Sequence, residues 1–467
     1  MTKKQTTVDR RAFLTNAAII GASGTLGAGS LLTSCMGGSK ERKYTPLRPA
    51  GEYYIPKLPD KAIDGKPLKA ALIGCGGRGT GAAVNFLNAA DNLSIVACAD
   101  IFKERMDRCR AGLKEVKNTE IADDKCFLGF DAYKKVCELP EVDVVIVASP
   151  TLFHPEQTKY AIDQGKHVFC EKPAAIDAVG YRTFMMAVRQ AQTKGLCLVT
   201  GTQRHHHRAY VESYKKVQEG YIGRIVSGVV YWNQNDIGYV RRQPGWTDME
   251  YMMRDFFNWN WLSGDHVIDQ LIHNLDIFTW FSHLKPVNVI GMGSRLHRFA
   301  GDNYDNFSVD FEFEGGVHVH GMARQIDNCH NRVAEIIQGT KGSWNSMDNK
   351  FTILDLDGNL VWQYDEDAAK EQFKQHDPYT LEHVNLVNHI RSGKVINIGE
   401  TTAISSMACI MARESAYTGK LSTWDEMTNS SLNFMPAELT LGNVDMSKFK
   451  RGLIPGTAPT RDAVWSY

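Results

Sequence analysis

The chain has 467 residues, which exceeds the size of one ordinary hydrophobic core and predicts two packed domains with appendages. Its 53 basic and 53 acidic residues cancel, so the composition argues against a protein that binds nucleic acid or another polyanion. Its ten cysteines are scattered without a C-x-x-C pair, so the sequence predicts neither a zinc site nor a disulfide framework.

The first 35 residues have the pattern of an export signal. Arg10 and Arg11 precede the weakly apolar run AAIIGASGTLGAGSLL, which resembles a twin-arginine signal and which glycine interrupts too often for a membrane span. The run closes on Leu-Thr-Ser-Cys at Cys35, which resembles the lipobox where a bacterial signal is cleaved and the new terminal cysteine is lipidated. An amphipathic helix with a chance arginine pair is the alternative. We expect the twin-arginine export machinery to deliver the protein to the periplasm, attached to a membrane only by a lipid on Cys35.

Residues 36–65 lack apolar periodicity and are interpreted as a tether or an arm. Residues 66–202 then alternate short apolar runs with polar segments of helix length. The predicted strands are LKAALIG, LSIVACAD, VDVVIVASP, HVFCEKP and LCLVTGTQ. Strands separated by helices predict a doubly wound parallel sheet, so this region is expected to be an α/β Rossmann domain.

The pattern changes after residue 202. The segments VNVIGMGSRL, NFSVDFEFEGGVHVHGMARQ, AEIIQGTKGSWNSM and KFTILDLDGNLVWQYD are typical of antiparallel strands joined by glycine turns. Helical patterns follow in YTLEHVNLVNHIRSG and ISSMACIMARESAYTGK. Residues 203–426 are therefore predicted to form a catalytic α+β domain with an open, mostly antiparallel sheet, and residues 427–467 a C-terminal extension.

Residues Gly74 to Gly79 spell G-x-G-x-x-G directly after an apolar strand and before a helix-like segment. The first glycine permits a tight turn, the second lets the backbone approach a pyrophosphate, and the third lets helix and strand pack closely. Asp100 ends the next strand, where its carboxylate can accept hydrogen bonds from the adenosine ribose and repel a 2′-phosphate. The pattern favours NAD over NADP. A glycine-rich turn with a solvated Asp100 is the alternative.

Candidate catalytic groups occur in two places. Lys172 follows a predicted parallel strand, at the sheet edge where open α/β sheets bind ligands, although a lysine before proline is by itself more often a solvated loop residue. Asp265, Asp269 and His273 recur every four residues, which predicts one shared helix face. A carboxylate one turn from an imidazole can orient it and raise its basicity, as acid/base chemistry requires. A polar solvent face is the alternative.

Two further stretches carry candidate substrate contacts. The segment GTQRHHHRAY holds Arg204 and three consecutive histidines, of which we expect one or two to hydrogen-bond a sugar in the crevice. A metal site is the weaker alternative, because adjacent histidines cannot converge on one ion without unusual backbone, and no metal is expected. Three tryptophans lie in an aromatic-rich insertion further on, at Trp246, Trp259 and Trp261. Aromatic faces stack on pyranose rings, but core packing is an equally good interpretation of any one of them.

The chain resembles the Gfo/Idh/MocA oxidoreductases, a family that includes glucose-fructose oxidoreductase and inositol dehydrogenase. The resemblance rests on the glycine loop, Asp100, SPTLFHPEQ at 149–157, the E-K-P of 171–173 and the D-x-x-x-H of 269–273, and it covers nearly all of residues 68–426. It implies NAD(P) chemistry at hydroxyl-bearing carbons of sugars and polyols. It also implies an open sheet of the kind often used for oligomer contacts, so we expect a homo-oligomer.

The resemblance implies roles for individual residues. Lys172 would contact the reacting hydroxyl and the nicotinamide ribose, His273 would be the acid/base, and Asp269 would be a second polar anchor. The expected cofactor contacts are Gly74, Gly76, Gly77, Arg78, Gly79, Asp100, Pro150, His154, Glu171, Lys172 and Gln203. The expected substrate contacts are Arg204, His205, His206 and Trp261.

An export signal and an NAD site are compatible if the folded protein carries tightly bound NAD through the twin-arginine pathway. We therefore predict an NAD-dependent oxidoreductase of a sugar, glycoside or polyol, with a 3-keto-glycoside as one conceivable product. The first alternative is an NAD-dependent glycosidase that works by transient oxidation, elimination, hydration and reduction. The second is a glycan-binding lipoprotein without catalysis, and the intact set of Lys172, Asp269 and His273 argues against it.

Overall fold

The computed structural model describes residues 44–49 and 51–445. The twin-arginine pair, the lipobox with Cys35 and the last part of the C-terminal extension lie outside these residues. The proposals made for those segments therefore stay predictions. Within the described ranges, no helix combines the length and the apolar character that a bilayer crossing requires.

The first sheet has six parallel strands in the order β3-β2-β1-β4-β5-β6, the order of a doubly wound dinucleotide-binding domain. Helices cover both faces of such a sheet, so its central strands are wholly apolar, and every residue of VVIV in β4 is buried. The strands are β1 Leu68–Ile73, β2 Leu93–Asp100, β3 Cys126–Leu128, β4 Val144–Val147, β5 His167–Cys170 and β6 Leu198–Thr200. The helices are α1 Gly77–Ala89, α2 Lys103–Lys117, α3 Ala132–Cys137, α4 His154–Asp163 and α5 Ala178–Lys194, with 3-10 turns at Asp123–Lys125 and Thr151–Phe153.

The second sheet has nine strands in the order β14-β13-β12-β11-β7-β10-β9-β8-β15. All of its pairs are antiparallel except β7 with β10. Alternate residues of its strands are buried against helices, as the run NFSVDFEF predicts. The strands are β7 Ile225–Gln234, β8 Pro286–Ser294, β9 Asn306–Phe313, β10 Val317–Gln325, β11 Arg332–Gly339, β12 Gly342–Asn345, β13 Thr352–Asp355, β14 Leu360–Gln363 and β15 Ser422–Thr423. The predicted fold class, a Rossmann domain followed by an α+β domain with an open sheet, is confirmed.

The remaining helices connect and cover this second sheet. Helix α10 is buried along its whole length, because it lies between the sheet and α13. The helices are α6 Arg208–Gln218, α7 Asp248–Arg254, α8 Asn260–Ser263, α9 His266–Asp269, α10 Ile272–Ser282, α11 Glu366–Gln372, α12 Pro378–Ser392, α13 Gly399–Thr418 and α14 Trp424–Asn429. Short 3-10 turns occur at Gln203–His206, Phe256–Asn258 and Met347–Asn349.

The described residues before β1 form an arm rather than a free tether. The amide of Leu47 donates to the carbonyl of Gln218 at 2.8 Å, and the amide of Ala62 donates to the carbonyl of Ala89 at 2.8 Å. The ring of Tyr53 packs edge-on against Tyr214. The arm therefore runs from α6 in the second domain to α1 in the Rossmann domain.

Candidate active site

The glycine loop has the shape that its sequence predicts. Gly74 has φ of +92°, and a Cβ there would lie 2.5 Å from the carbonyl oxygen of Ala148, so both turn and packing require glycine. A Cβ on Gly79 would lie 1.8 Å from the carbonyl oxygen of Gly74, which explains the third glycine as a helix–strand contact. Cβ atoms on Gly76 and Gly77 would meet no atom within 4 Å. The loop thus leaves space on its open side for a group that approaches the backbone closely, as a pyrophosphate does.

A cavity of about 770 Å³ opens beside this loop. Its walls include Arg78, Asp100 and Pro150, three of the predicted cofactor contacts. The Asp100 carboxylate accepts hydrogen bonds from the amides of Cys75 at 2.7 Å and Phe102 at 2.8 Å, and burial raises its pKa. These amides fix the carboxylate, and each oxygen keeps a lone pair for a ribose hydroxyl. The residues present therefore fit NAD.

Asp100→Ala should weaken NAD binding on the order of 10- to 100-fold, because a charge-assisted hydrogen bond to the ribose is lost. The ratio of the affinity for NAD to the affinity for NADP should also decrease, because the carboxylate that repels a 2′-phosphate is gone. Titration calorimetry with both cofactors measures both effects. Asp107→Asn, which removes the same charge from the exposed pair with Lys103 on α2, is the matched control. Unchanged NAD affinity in Asp100→Ala would contradict the assignment.

Arg78 is held by partners from both domains. Its Nε lies 2.9 Å from a carboxylate oxygen of Glu171, and its guanidinium lies 4.8 Å from the ring centroid of Tyr379. The amide of Gln203 donates to the hydroxyl of Tyr379 at 3.3 Å. Glu171 is only 5% exposed and is absent from the described lining of the cavity, so it can act on a cofactor through Arg78. Tyr379 lies on α12, far along the chain from the glycine loop, and stands in none of the predicted motifs.

His154 is a structural clamp in this structure. Its Nδ1 lies 2.8 Å from the carbonyl oxygen of Pro173, and its Nε2 lies 2.8 Å from that of Ser149. Both ring nitrogens are thereby engaged by backbone, and the side chain is buried. The expected contact of His154 with the cofactor stays a prediction, and the structure shows that His154 joins the loop after β4 to the loop that carries Lys172.

Lys172 lies against Asp269. Its Nζ donates to the backbone carbonyl of Asp269 at 2.5 Å and to the carboxylate Oδ1 at 3.2 Å. An ammonium group has three donors, so one remains for another ligand. The second carboxylate oxygen of Asp269 accepts from the side chain of Gln270 at 2.7 Å. The two predicted catalytic groups, which are 97 residues apart in sequence, thus meet in one ion pair.

The predicted single helix through Asp265, Asp269 and His273 is wrong. Asp265 has φ of +77° and caps the short helix α9, which ends at Asp269, and α10 begins at Ile272. The Asp265 carboxylate instead accepts from the amide of Tyr304 at 2.8 Å in the interior. Within the described ranges no hydrogen bond joins Asp269 to His273. Asp269 therefore positions Lys172 and does not orient the imidazole.

His273 lies in the first turn of α10, stacked on the ring of Trp232 with centroids 5.2 Å apart. Burial lowers the pKa of His273 well below 6.5, and the positive charges of Lys172 and Arg204 lower it further. In the part of the chain that the structure describes, neither ring nitrogen has a hydrogen-bond partner. The imidazole is therefore neutral at neutral pH and can accept a proton.

Arg204 is fixed behind His273. It pairs with the buried carboxylate of Glu335 and donates to the backbone carbonyl of His273 at 3.2 Å. The same carboxylate accepts from Asn274 at 2.6 Å and from the hydroxyl of Tyr210 at 3.0 Å. These contacts fix the position of the first turn of α10 and keep the positive charge of Arg204 close to that turn. The structure places Arg204 at the site and shows no contact that tests its predicted role toward a substrate.

The other predicted substrate contacts are placed in the interior. His205 lies 2.6 Å from a carboxylate oxygen of Asp276 and stacks on Trp280, and His206 accepts from the amide of Asn385 at 3.0 Å. Both histidines are buried and these partners lie in the interior, so their predicted contact with a sugar stays a prediction. Trp261 is 4% exposed and packs in the hydrophobic core, and its predicted contact with a sugar stays a prediction. The described residues contain no cluster of His, Cys, Asp and Glu suited to a metal ion.

Two family models match the chain. Residues 68–202 match an oxidoreductase family with an NAD-binding Rossmann fold, and residues 210–345 match the Gfo/Idh/MocA C-terminal domain. The two matches adjoin and belong to the same family. They cover the glycine loop, Asp100, Lys172, Asp269 and His273.

Individual proteins are similar to different extents. The scyllo-inositol 2-dehydrogenase (NAD(+)) of Bacillus subtilis is 25% identical over 80% of this chain and 96% of its own length. A glycosyl hydrolase family 109 protein of Bacteroides fragilis is 33% identical, but over only 28% of this chain and 27% of its own length. The structure of scyllo-inositol dehydrogenase from Lactobacillus casei with bound NAD(H) and scyllo-inositol has a TM-score of 0.58 at 20% identity, and covers 76% of this chain and 99% of that one. This structural likeness shows the shared fold.

Proposed function

The chain belongs to the Gfo/Idh/MocA family of NAD-binding oxidoreductases, and on that basis we propose that it oxidises a hydroxyl-bearing carbon of a sugar, glycoside or polyol with tightly held NAD. The observation that carries the proposal is the ion pair of Lys172 with Asp269 after β5 of the sheet that presents the glycine loop, together with the buried imidazole of His273, whose pKa the charge of Lys172 helps to lower. An ammonium donor and a neutral imidazole are the two groups that such an oxidation needs.

The cofactor, when bound, supplies the acceptor for a hydride from the carbinol carbon. Arg78, Asp100 and the backbone of the glycine loop would hold it. The substrate hydroxyl would lie between the free donor of Lys172 and the imidazole of His273. His273 takes the hydroxyl proton, and the ammonium of Lys172 stabilises the negative charge that develops on the oxygen. Asp269 keeps Lys172 in position.

The experiment that tests this proposal uses purified protein and a panel of inositols, free sugars and glycosides. Nicotinamide is first identified in a denatured extract of extensively dialysed protein. Products are then identified by mass spectrometry and NMR. A keto product that forms together with reduced nicotinamide supports the dehydrogenase. No turnover across the panel, with no nicotinamide in the extract and no binding of added NAD, would refute it.

A second candidate function is the NAD-dependent glycosidase. The observation that favours it is the 33% identity to a glycosyl hydrolase family 109 protein, which falls on a stretch about the size of the Rossmann domain. In that reaction the cofactor is reduced and reoxidised within each cycle. Free sugar released from a glycoside without net change in nicotinamide absorbance would therefore support the glycosidase over the dehydrogenase.

Export and lipid attachment remain part of the proposal for residues 1–35. The support is the sequence pattern alone, namely the pair Arg10-Arg11 and the lipobox at Cys35. Replacing both arginines with lysine should leave the protein in the cytosol, and Cys35→Ala should give exported protein without lipid. Cell fractionation and labelled fatty acid measure the two outcomes. Normal lipid labelling of Cys35→Ala would contradict the second.

The open sheet supports the proposal of a homo-oligomer. Its outer face exposes the apolar side chains of Ile290, Met292 and Met322. The first two lie on β8 and the third on β10, the two strands that flank β9. Exposed apolar side chains grouped on one sheet face are typical of a protein contact. Sedimentation velocity measures the state directly, and a monomer at micromolar concentration would contradict this part of the proposal.

A further inference from the structure

One wall of the cofactor cavity comes from the second domain. Val240, Met253, Arg254, Phe256 and Phe257 line the cavity, opposite the Rossmann residues around Asp100 and α2. They belong to residues 236–258, the segment between β7 and α8, which we call the clasp. Asp100 marks the end of a dinucleotide site that takes the adenosine ribose. The clasp therefore lies across the adenosine end of the cavity.

Arg254 ties the clasp to the Rossmann domain. Its guanidinium pairs with Glu104 on α2 and lies 3.9 Å from the ring centroid of Phe102, which precedes that helix. Glu250, one helical turn earlier in the clasp, also accepts from Arg254, at 2.9 Å. A further contact comes from the Rossmann domain, where the side chain of Arg105 donates to the backbone carbonyl of Arg254 at 3.2 Å. The contacts join the two walls of the cavity at its rim.

The clasp is also stabilised by contacts within itself and with the C-terminal extension. The amide of Val240 donates to the carboxylate of Asp255 at 2.7 Å, which closes the segment on itself. The described part of the C-terminal extension passes over α7, where the amide of Met249 donates to the carbonyl of Gly442 at 3.0 Å. The amide of Val444 donates to the carboxylate of Asp248 at 3.2 Å. This backing gives the clasp a defined conformation against the cavity.

We propose that the clasp retains NAD, and that release of the cofactor requires the contacts of Arg254 with α2 to open. This inference rests on the proposed function, because it assumes that NAD occupies the cavity. The physical reason is enclosure: a ligand covered on both sides leaves only after one wall moves, so the stability of the wall contacts enters the dissociation rate. The clasp comes from the same chain as the glycine loop, so retention does not need a second subunit.

The test measures the rate at which NADH leaves the full-length, loaded protein. NADH fluorescence is followed after mixing with a large excess of NAD, which traps every emptied site. Arg254→Ala should release NADH on the order of 10- to 100-fold faster, because it loses two carboxylate contacts and the contact with Phe102. Glu104→Gln should release it a few-fold faster, since a partly exposed ion pair contributes less.

Two further variants make the test specific. Asp107→Asn removes an equal charge from an exposed pair on the same helix and should release NADH at the wild-type rate. Phe257→Ala removes a cavity wall that is 42% exposed and has no ion pair, so it tests the clasp even if Arg254→Ala does not fold. It should also release NADH faster than wild type.

The outcomes separate the retention proposal from the proposed function. Wild-type release rates in Arg254→Ala, Glu104→Gln and Phe257→Ala would overturn retention by the clasp. Rapid release from the wild-type protein, together with turnover on added NAD, would overturn retention and the tight binding of NAD, and would leave the proposed oxidation of a hydroxyl-bearing carbon intact. A wild-type protein that binds no NADH would overturn both.

Discussion

Replacing His273 with alanine should leave NAD bound and slow hydride transfer on the order of 100- to 10,000-fold, the usual scale for a positioned acid/base. Burial and the positive charges of Lys172 and Arg204 lower the pKa of the imidazole well below 6.5, so it is ready to take the hydroxyl proton as hydride leaves the same carbon. The measurement is the single-turnover rise in reduced-nicotinamide absorbance after NAD-loaded protein is mixed with a responsive substrate. His297→Ala, at an exposed position in the loop after β8, is the matched control and should be unaffected.

The pH dependence of the single-turnover rate is a second test of His273 as the base. The pKa of His273 is lowered well below 6.5, so the base is deprotonated at neutral pH and the rate should fall only when the pH drops well below 6.5. Arg204→Gln removes one of the two charges that lower this pKa, so the acid limb should move to higher pH. A single-turnover rate in His273→Ala that equals the wild-type rate at every pH would contradict the assignment. Lys172 would then be the candidate base.

The local parts of the fold follow from the sequence. Gly74 and Gly79 have the physical reasons that the pattern implies, and Gly76 leaves the open space that it implies, because turn geometry and helix–strand contact are fixed within a few residues. The parallel strands were predictable because both faces of that sheet are covered and the runs are apolar throughout. The three-residue strand β3 was not predicted, since CFL is too short to show a period.

The active site was harder to predict because tertiary contacts decide it. The helix predicted through residues 265–273 does not include Asp265, whose carboxylate accepts hydrogen bonds from Tyr304 and Tyr417, 39 and 152 residues further along the chain. The chain also leaves the helical conformation between α9 and α10. His205 and His206 looked available for a sugar, yet α10 and α12 supply their partners. Trp232 and Tyr379 were missed because neither stands in a motif, and only packing brings them to His273 and Arg78.

The pairing of Lys172 with Asp269 changes what substitution at each should do. Lys172→Met keeps most of the apolar stem but removes the cation, so hydride transfer should fall by at least the 100-fold expected for His273→Ala. Asp269→Asn keeps the backbone carbonyl that accepts from Lys172 and removes the negative charge that faces the ammonium at 3.2 Å, so its loss should be smaller, on the order of 10-fold.

The two substitutions should also interact. Once Lys172 is methionine, Asp269 has no ammonium to position, so Asp269→Asn should add little to the loss already caused by Lys172→Met. Single-turnover rates of both single variants and of the double variant measure this coupling. Lys159→Met, which removes a partly exposed lysine from a pair with Asp163, is the control. If the two losses multiplied in full, Asp269 would act on the reaction independently of Lys172, as the second polar anchor that the family resemblance implies. If they do not, the carboxylate at 269 works through the lysine, and the ion pair is the unit that meets the charge developing on the substrate oxygen.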